Sequence, residues 1–216
     1  VITVERGQAG TLVAIQDDTG DEKQLACQLL VIADGSHSTL ARQLGIHQES
    51  NGYAAVAFSA NVSVRSAPAK VAFERFTADG PIALLPLSPD QHEQQRFALI
   101  FTRPESEQAE IENLSDEAFL TQLQRYYGER AGEFVKIGKR AAYPLYQSIA
   151  REQIRPGLVL LGNDAHTIHP VAGQGFNLAL RDLDAVCDLL WVSRSKEESV
   201  DSLVVLKTVD DQPQMD

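Results

Sequence analysis

The chain has 216 residues, 44% of them apolar and 23% charged, enough to bury the core of roughly one to one and a half ordinary domains. Thirty acidic against 19 basic residues give a net charge of −11, which argues against a nucleic-acid partner held by counterion release and against anionic lipid headgroups. No apolar run approaches the ~20 residues of a membrane span, and no charged leader followed by an apolar block opens the chain, so the sequence reads as cytoplasmic, with peripheral contact to an inner membrane as the outer limit.

In chain order, Val1–Val4 and Thr11–Gln16 read as strands, followed by the turn residues Asp17-Asp18-Thr19-Gly20. Gln24–Ala33 reads as one strand. Its end, Leu29–Ala33, is apolar at every residue, which suits burial on both faces in a parallel sheet covered by helices. The strand stops at Asp34-Gly35, and Ser36 or Ser38 can cap a helix Thr39–Leu44 that Gly45 ends. Short strands follow at Tyr53–Val64, Val71–Thr77, Ile82–Leu87 and Arg96–Thr102, with the spacing of an antiparallel sheet. Ser115 caps a helix reaching Tyr127, and Phe134–Tyr146 is a further strand ending near Pro144. Arg155-Pro156-Gly157 turns the chain into Leu158–Leu161, a second wholly apolar strand. A loop rich in Gly, His and Pro spans Gly162–Gly175. Phe176, Leu180, Leu183, Val186 and Leu190 then recur at helical spacing and predict a helix Phe176–Trp191. A last helical stretch is expected at Leu203–Val209.

Two buried-type strands at opposite ends of the chain, with an antiparallel block between them, describe a mixed α/β fold. A Rossmann-like sheet domain is interrupted by an inserted β-rich domain. The boundaries expected are 1–50 and 148–192 for the sheet domain, 51–147 for the insert, and 193–216 for a truncated C-terminal segment. Cys27 and Cys187 sit in apolar surroundings and read as small buried hydrophobes in a reducing compartment rather than as a disulfide.

Two segments carry chemistry. Ala33-Asp34-Gly35-Ser36-His37-Ser38 follows a buried strand, where open α/β sheets place ligands. Asp34 can accept hydrogen bonds from sugar-like hydroxyls and Gly35 admits close approach of a ligand, although a plain capping turn fits the same residues. The second segment runs from Leu161 to Asn177. Gly173 and Gly175 bracket Gln174 just before a helix, aiming backbone N–H groups and a helix N-terminus at one point and so favouring negative charge. Pro170 and Ala172 could form a stiff wall beside a ring, and Asn177 offers donor and acceptor groups at its edge. His166 and His169 have a metal-like spacing, but no matching third ligand is evident beyond Asp164, which favours a hydrogen-bonding role over a metal site.

Together these segments resemble the flavoprotein monooxygenases of the para-hydroxybenzoate hydroxylase type. Asp34, Gly35 and Ser38 meet that family's Asp-Gly-x-x-Ser. Gly162-Asn163-Asp164-Ala165-His166 stands at its Gly-Asp-Ala-Ala-His, and Pro170, Gly173, Gln174, Gly175 and Asn177 at its Pro-x-x-Gly-Gln-Gly-x-Asn. Within the family the chain is most similar to the hydroxylases of ubiquinone biosynthesis, through Ala72–Thr77, Gly80-Pro81, Leu85–Ser88, Gly138–Arg140, Tyr143-Pro144 and Arg181-Asp182. The resemblance implies FAD as cofactor, NAD(P)H as co-substrate and O2 as oxidant. The interrupted domain would be a partial FAD/NAD(P)-binding domain, and the β-block Tyr53–Tyr146 a wall of the substrate site.

By the same resemblance Asp34 and Gly35 lie near the ribityl–pyrophosphate region, and Gly162 and Asn163 contact the ribityl chain. Pro170, Gly173, Gln174, Gly175 and Asn177 line the isoalloxazine. A reduced flavin carries negative charge at its N1–C2=O edge, which suits a helix N-terminus. Asn163 replaces the usual Asp and would make a weaker, uncharged contact. Asp164 replaces an Ala, with no role evident from sequence.

No catalytic acid or base is identifiable. The family's opening G-x-G-x-x-G unit is not in these residues, and Val1 stands where a natural start would have Met. The expectation is therefore a fragment that alone binds FAD weakly or not at all and hydroxylates nothing. The implied substrate is a polyprenyl phenol, and the implied setting a ubiquinone-biosynthesis complex. The alternatives are a flavin hydroxylase of another aromatic compound, or a non-catalytic interaction module.

Overall fold

The computed structural model describes residues 1, 3–7, 10–36, 38–68, 70–169 and 173–197. The helix expected at Leu203–Val209 lies outside them. The chain divides into two compact units, one formed by Val1–Asn51 with the chain from Tyr146 onward, the other by Gly52–Leu145. The fold is mixed α/β with mostly antiparallel sheets. Among the described residues no helix is long and apolar enough to cross a membrane.

The first unit begins with an antiparallel sheet of β1 (Thr3–Gly7), β2 (Gly10–Gln16) and β3 (Glu22–Cys27), in that order. β4 (Leu30–Ile32) belongs to a different sheet. The single strand expected over Gln24–Ala33 is therefore two strands, broken at Gln28-Leu29 as the chain passes from one sheet to the next. Unbroken apolarity concealed the break, since neither Gly nor Pro punctuates it. Ser38 accepts a hydrogen bond from the Ala41 N–H and so caps α1 (Thr39–Gln43), while Gly45 continues past the helix end with φ 69°.

The second sheet is ordered β11 (Ile154–Arg155), β12 (Leu158–Leu160), β4. β12 runs parallel to β4, with Leu158 opposite Leu30 and Leu160 opposite Ile32. Because strand side chains alternate, Leu158 and Leu160 face a cluster with Ile32, Leu40 and Ala41 of the α1 side. Val159 and Leu161 face the other way, onto Val186, Leu189 and Leu190 of α4 (Gln174–Ser195). Every residue of β12 is buried, as its composition requires. β4 is not buried on both faces, however, because Val31 is 43% exposed.

α4 begins two residues before the expected Phe176, with Gly173 as its N-cap, and runs to Ser195. Of the five apolar residues that marked it, Val186 is buried, whereas Phe176, Leu180 and Leu183 are exposed. Periodicity found the helix but did not show which of its faces is covered. Both cysteines are free, Cys27 half-buried and Cys187 exposed, which corrects the expectation of buried thiols.

The second unit is built on β5 (Gln48–Arg65), β6 (Phe73–Thr77), β7 (Gly80–Leu87), β8 (Gln95–Pro104), β9 (Glu133–Ile137) and β10 (Ala141–Ala150). The sheet order is β10-β5-β8-β7-β6, with β9 pairing the far end of β5. The strand expected over Phe134–Tyr146 is thus two, β9 and β10, and Pro144 lies inside the second rather than at its end. Between β8 and β9 come a short 3-10 turn, α2 (Gln108–Glu112) and α3 (Asp116–Tyr127), which Ser115 caps through the Ala118 N–H. Phe119, Leu123 and Tyr127 of α3 pack onto the face carrying Val56, Phe58, Leu84 and Phe101, with Phe101 and Phe119 edge to face at 5.8 Å. The opposite face carries Ala83, Leu85, Ala98 and Ile100 at paired positions of β7 and β8, with Leu85 exposed.

Within this unit Arg103 is 2% exposed. Its guanidinium donates to both oxygens of Glu107 at 2.9 Å, to Asp79 at 3.0 Å and to the Tyr126 hydroxyl at 2.9 Å. It also lies 4.0 Å from the Tyr126 ring centroid. Burial opposes its charge, but Glu107 and Asp79 outweigh that and hold it above its ordinary pKa.

Candidate functional site

Parallel pairing brings the carboxyl ends of β4 and β12 to the same edge of their sheet, and each strand is followed by one of the two motifs. The Leu161 N–H donates to the Ile32 carbonyl at 2.9 Å, closing the ladder. Beyond it the Gly35 N–H donates to Asp164 Oδ2 at 2.6 Å, a contact between residues 129 apart in sequence. Asp34-Gly35 and Gly162-Asn163-Asp164 are therefore joined by a direct bond. Asp164, whose role the sequence did not reveal, makes it.

The Asp34 turn is held from three sides. Gly35, at φ 97°, accepts the Ser38 N–H at 2.8 Å. The Ser38 hydroxyl caps α1, and Ser36 accepts the Tyr146 hydroxyl at 2.9 Å. Gly162–Asp164 forms a 3-10 turn in which the Ala165 N–H returns to the Gly162 carbonyl. Gln48 donates to the Asp164 carbonyl at 2.9 Å, and the Ala150 N–H to that of Ala165 at 2.9 Å. Asp34 and Asn163 are exposed at the mouth of these turns, while Asp164 is fully buried. Burial raises the Asp164 pKa. The nearby Asp34 charge raises it further, and the Gly35 N–H and Ser38 hydroxyl oppose the rise. Asp164 Oδ1 is buried without a hydrogen-bond partner among the described residues.

β13 (His166–Thr167) follows and pairs with the end of β10, His166 opposite Ile149. His166 Nε2 lies 3.3 Å from Asp182 Oδ2 of α4. Burial raises the Asp182 carboxyl, and His166 pulls it back. This partner, which the sequence did not reveal, ties the loop to the helix that follows it. The only sequence signal was the Arg181-Asp182 pair.

Pro170 and Ala172 lie outside the described residues. Gly173 is left-handed, φ 65°, and among the described residues no side chain caps α4, nor is any acidic residue in its first turn. The first N–H groups of a 22-residue helix therefore lack an intrahelical partner and keep the positive end of its dipole. Gly173, Gln174 and Asn177 are exposed, and Gly175 sits where an added Cβ would meet Ile168 at 3.5 Å.

At Gly35, Gly162 and Gly173 an added Cβ would meet nothing within 4 Å. All three have positive φ, so glycine answers a backbone demand there, and it leaves bare backbone open to close approach. These features fit a flat, polar-edged cofactor. Exposed peptide groups and the start of α4 could meet a ring edge that gains negative charge, while the exposed Asp34 and Asn163 can take hydroxyl hydrogens.

Residues 1–202 match the family described as FAD binding domain. A protein from Synechocystis sp. described as uncharacterized is 33% identical over 96% of this chain and 49% of its own length. The 3-demethoxyubiquinol 3-hydroxylase of Escherichia coli is 32% identical over 85% of this chain and 45% of its own. For the ubiquinone hydroxylase UbiL of Rhodospirillum rubrum the figures are 31%, 79% and 38%. The chain thus spans about half, or less, of the curated relatives it matches.

Among solved structures, the chondrochloren halogenase CndH superposes with a TM-score of 0.75 at 16% identity, over 96% of this chain and 48% of that one. PqsL, a probable FAD-dependent monooxygenase of Pseudomonas aeruginosa, gives 0.70 at 20% identity, over 96% and 57%. These likenesses are of fold.

Proposed function

The chain belongs to the FAD-binding domain family, and we propose that it forms the ring- and ribityl-binding part of an FAD-dependent monooxygenase that hydroxylates the ring of a polyprenyl phenol in ubiquinone biosynthesis. The observation that carries this reading is the bond from Gly35 to Asp164, which sets two bare-backbone turns side by side at the ends of parallel strands. The names of the E. coli and R. rubrum relatives support the ubiquinone assignment. Bound FAD would supply the redox chemistry linking NAD(P)H, O2 and the substrate ring.

The chain's own groups would do the positioning. Asp34 and Asn163 accept hydroxyl hydrogens, Asn163 without adding charge. The N–H groups at Gly173–Gly175 hold negative charge at the ring edge. Asn177 presents its amide one turn into α4. The apolar sheet face with Leu85 and Ile100 suits a lipid-like substrate, which also allows peripheral contact with a membrane and membership of a biosynthetic complex. Because the chain spans 45% of the E. coli hydroxylase, turnover is proposed for a protein that also supplies the remainder. The 216 residues alone are expected to bind FAD weakly.

FAD titration followed by flavin fluorescence tests the site. Gly173→Val should weaken binding at least tenfold in a protein that binds FAD, because it fills the open approach and strains a left-handed residue. Unchanged affinity would remove the α4 N-terminus from the site. A product assay with a polyprenyl phenol against a simple phenol tests the substrate.

A further inference from the structure

We propose that Asp34 and Asp164 act as one proton-holding pair, and that Asp164 is a positioning residue which fixes the Asp34-Gly35 turn in its protonated state. Asp164 is fully buried, one oxygen is taken by the Gly35 N–H at 2.6 Å, and the other oxygen is buried without a hydrogen-bond partner among the described residues. A buried carboxylate with an unanswered oxygen is costly. A proton on that oxygen removes the charge and supplies a donor toward Asp34, the exposed acid at the start of the same turn. The neutral group then stays inside, and Asp34, exposed to water, accepts its hydrogen bond.

The neighbours of Asp164 agree with this partition. From the turn after β4 it meets Gly35 and Asp34, and from the cap of α1 the Ser38 hydroxyl. From β5, Gln48 reaches only its carbonyl. On the α4 side the titratable groups are His166 and Asp182, which are paired with each other at 3.3 Å. The carboxyl of Asp164 accordingly lies above the ordinary aspartate range, through burial first and the Asp34 charge in addition.

The sign for stability follows from linkage. A carboxyl raised on folding adds no penalty below the ordinary aspartate range. The penalty grows as pH rises from that range to the raised value, because the unfolded chain releases a proton that the fold retains, and it stays constant above it. Asp164→Asn keeps an acceptor for Gly35 and a donor toward Asp34, and it cannot ionise. The consequence for the cofactor rests on the flavin reading above, but the pair does not, so the test omits FAD.

The experiment is carboxyl 13C NMR titration of the chain, with thermal melting from pH 4 to 8 for wild type and Asp164→Asn. The expected result is one buried carboxyl titrating above the ordinary range, absent in Asp164→Asn and moved down in Asp34→Asn. The melting point of Asp164→Asn should gain on wild type as pH rises, by at least about 2 °C at the alkaline end. Ordinary or lowered titration of both acids would overturn the proposal, as would an Asn variant less stable by the same margin at every pH, because Asp164 would then be a plain ionised acceptor. The wild-type titration decides the matter even if a variant fails to fold.

Discussion

Among the described residues each unit buries one side chain that can carry a full charge at neutral pH, and the two are treated differently. Arg103 in the β-rich unit has Glu107, Asp79 and Tyr126 on its guanidinium, with a ring beneath it. Asp164 in the other unit has one oxygen bonded and one unanswered. The answered cation stays charged and fastens β8 to the helical segment after it. The half-answered carboxyl is pushed toward its neutral form, beside backbone that is bare and open. A fully satisfied buried charge marks a structural joint, and a partly satisfied one marks a place where something remains to be bound or exchanged.

The largest effect that would sharpen this contrast is at Arg103. Arg103→Ala should cost about 3 kcal/mol in denaturant unfolding, at the low end for a broken buried pair because Asp79 and Glu107 reach water and can be hydrated. Arg103→Met, which keeps the packing on Tyr126, should cost no more than about half of that. Equal losses would mean that charge, rather than volume, holds the joint. Leu158→Ala should cost about 2–3 kcal/mol, since the side chain is wholly buried beneath α1, and it should leave the pH profile of Asp164 unchanged if cofactor edge and core are separable. Ser38→Ala should cost about 1 kcal/mol through the lost α1 cap. It should also raise the Asp164 titration further, because a hydroxyl that favours the carboxylate is gone. The smallest effect is expected at Asn163. Asn163→Asp should leave the stability within about 0.5 kcal/mol of wild type, as an exposed substitution does, while strengthening FAD binding a fewfold through a charged acceptor. Unchanged affinity would take Asn163 out of the ribityl contact.

What the sequence made legible follows the range of the interactions concerned. The start of α3 was readable because its signal is local: Ser115 and the Ala118 N–H are three residues apart. Burial of β12 on both faces was readable because Leu158–Leu160 offers nothing polar. The change of sheet between β3 and β4 was not, because no residue there breaks an extended chain. α2 escaped notice because five residues are too few to show a period. Asp164 stood out as a departure from its family's pattern, yet its meaning lay in a bond to a residue 129 positions away. The Arg103 network escaped for the same reason, since Asp79 approaches from 24 residues upstream. Of the residues expected to form the site, Asp34, Gly35, Gly162 and Asn163 are brought together at one sheet edge. Gly173, Gln174, Gly175 and Asn177 open the helix packed along it, and Pro170 lies outside the described residues.

The parallel pairing of β4 with β12 also governs the order in which this chain can fold. Those strands cannot meet until all of the intervening residues have been made, so the sheet that carries the candidate site closes only after the β-rich stretch has been synthesised. Closing so long a loop as a free coil would be slow and entropically costly. The β-rich stretch can shorten that search by folding first, since its first and last strands, β5 and β10, end up as neighbours. The crossing points are then clasped: the Arg151 N–H donates to the His47 carbonyl at 2.9 Å, and its guanidinium meets Glu49 at 2.6 Å. Hydrogen exchange during refolding should therefore protect β5–β8 before β4 and β12, and the inserted block acts as a template that delivers the two halves of the site to each other.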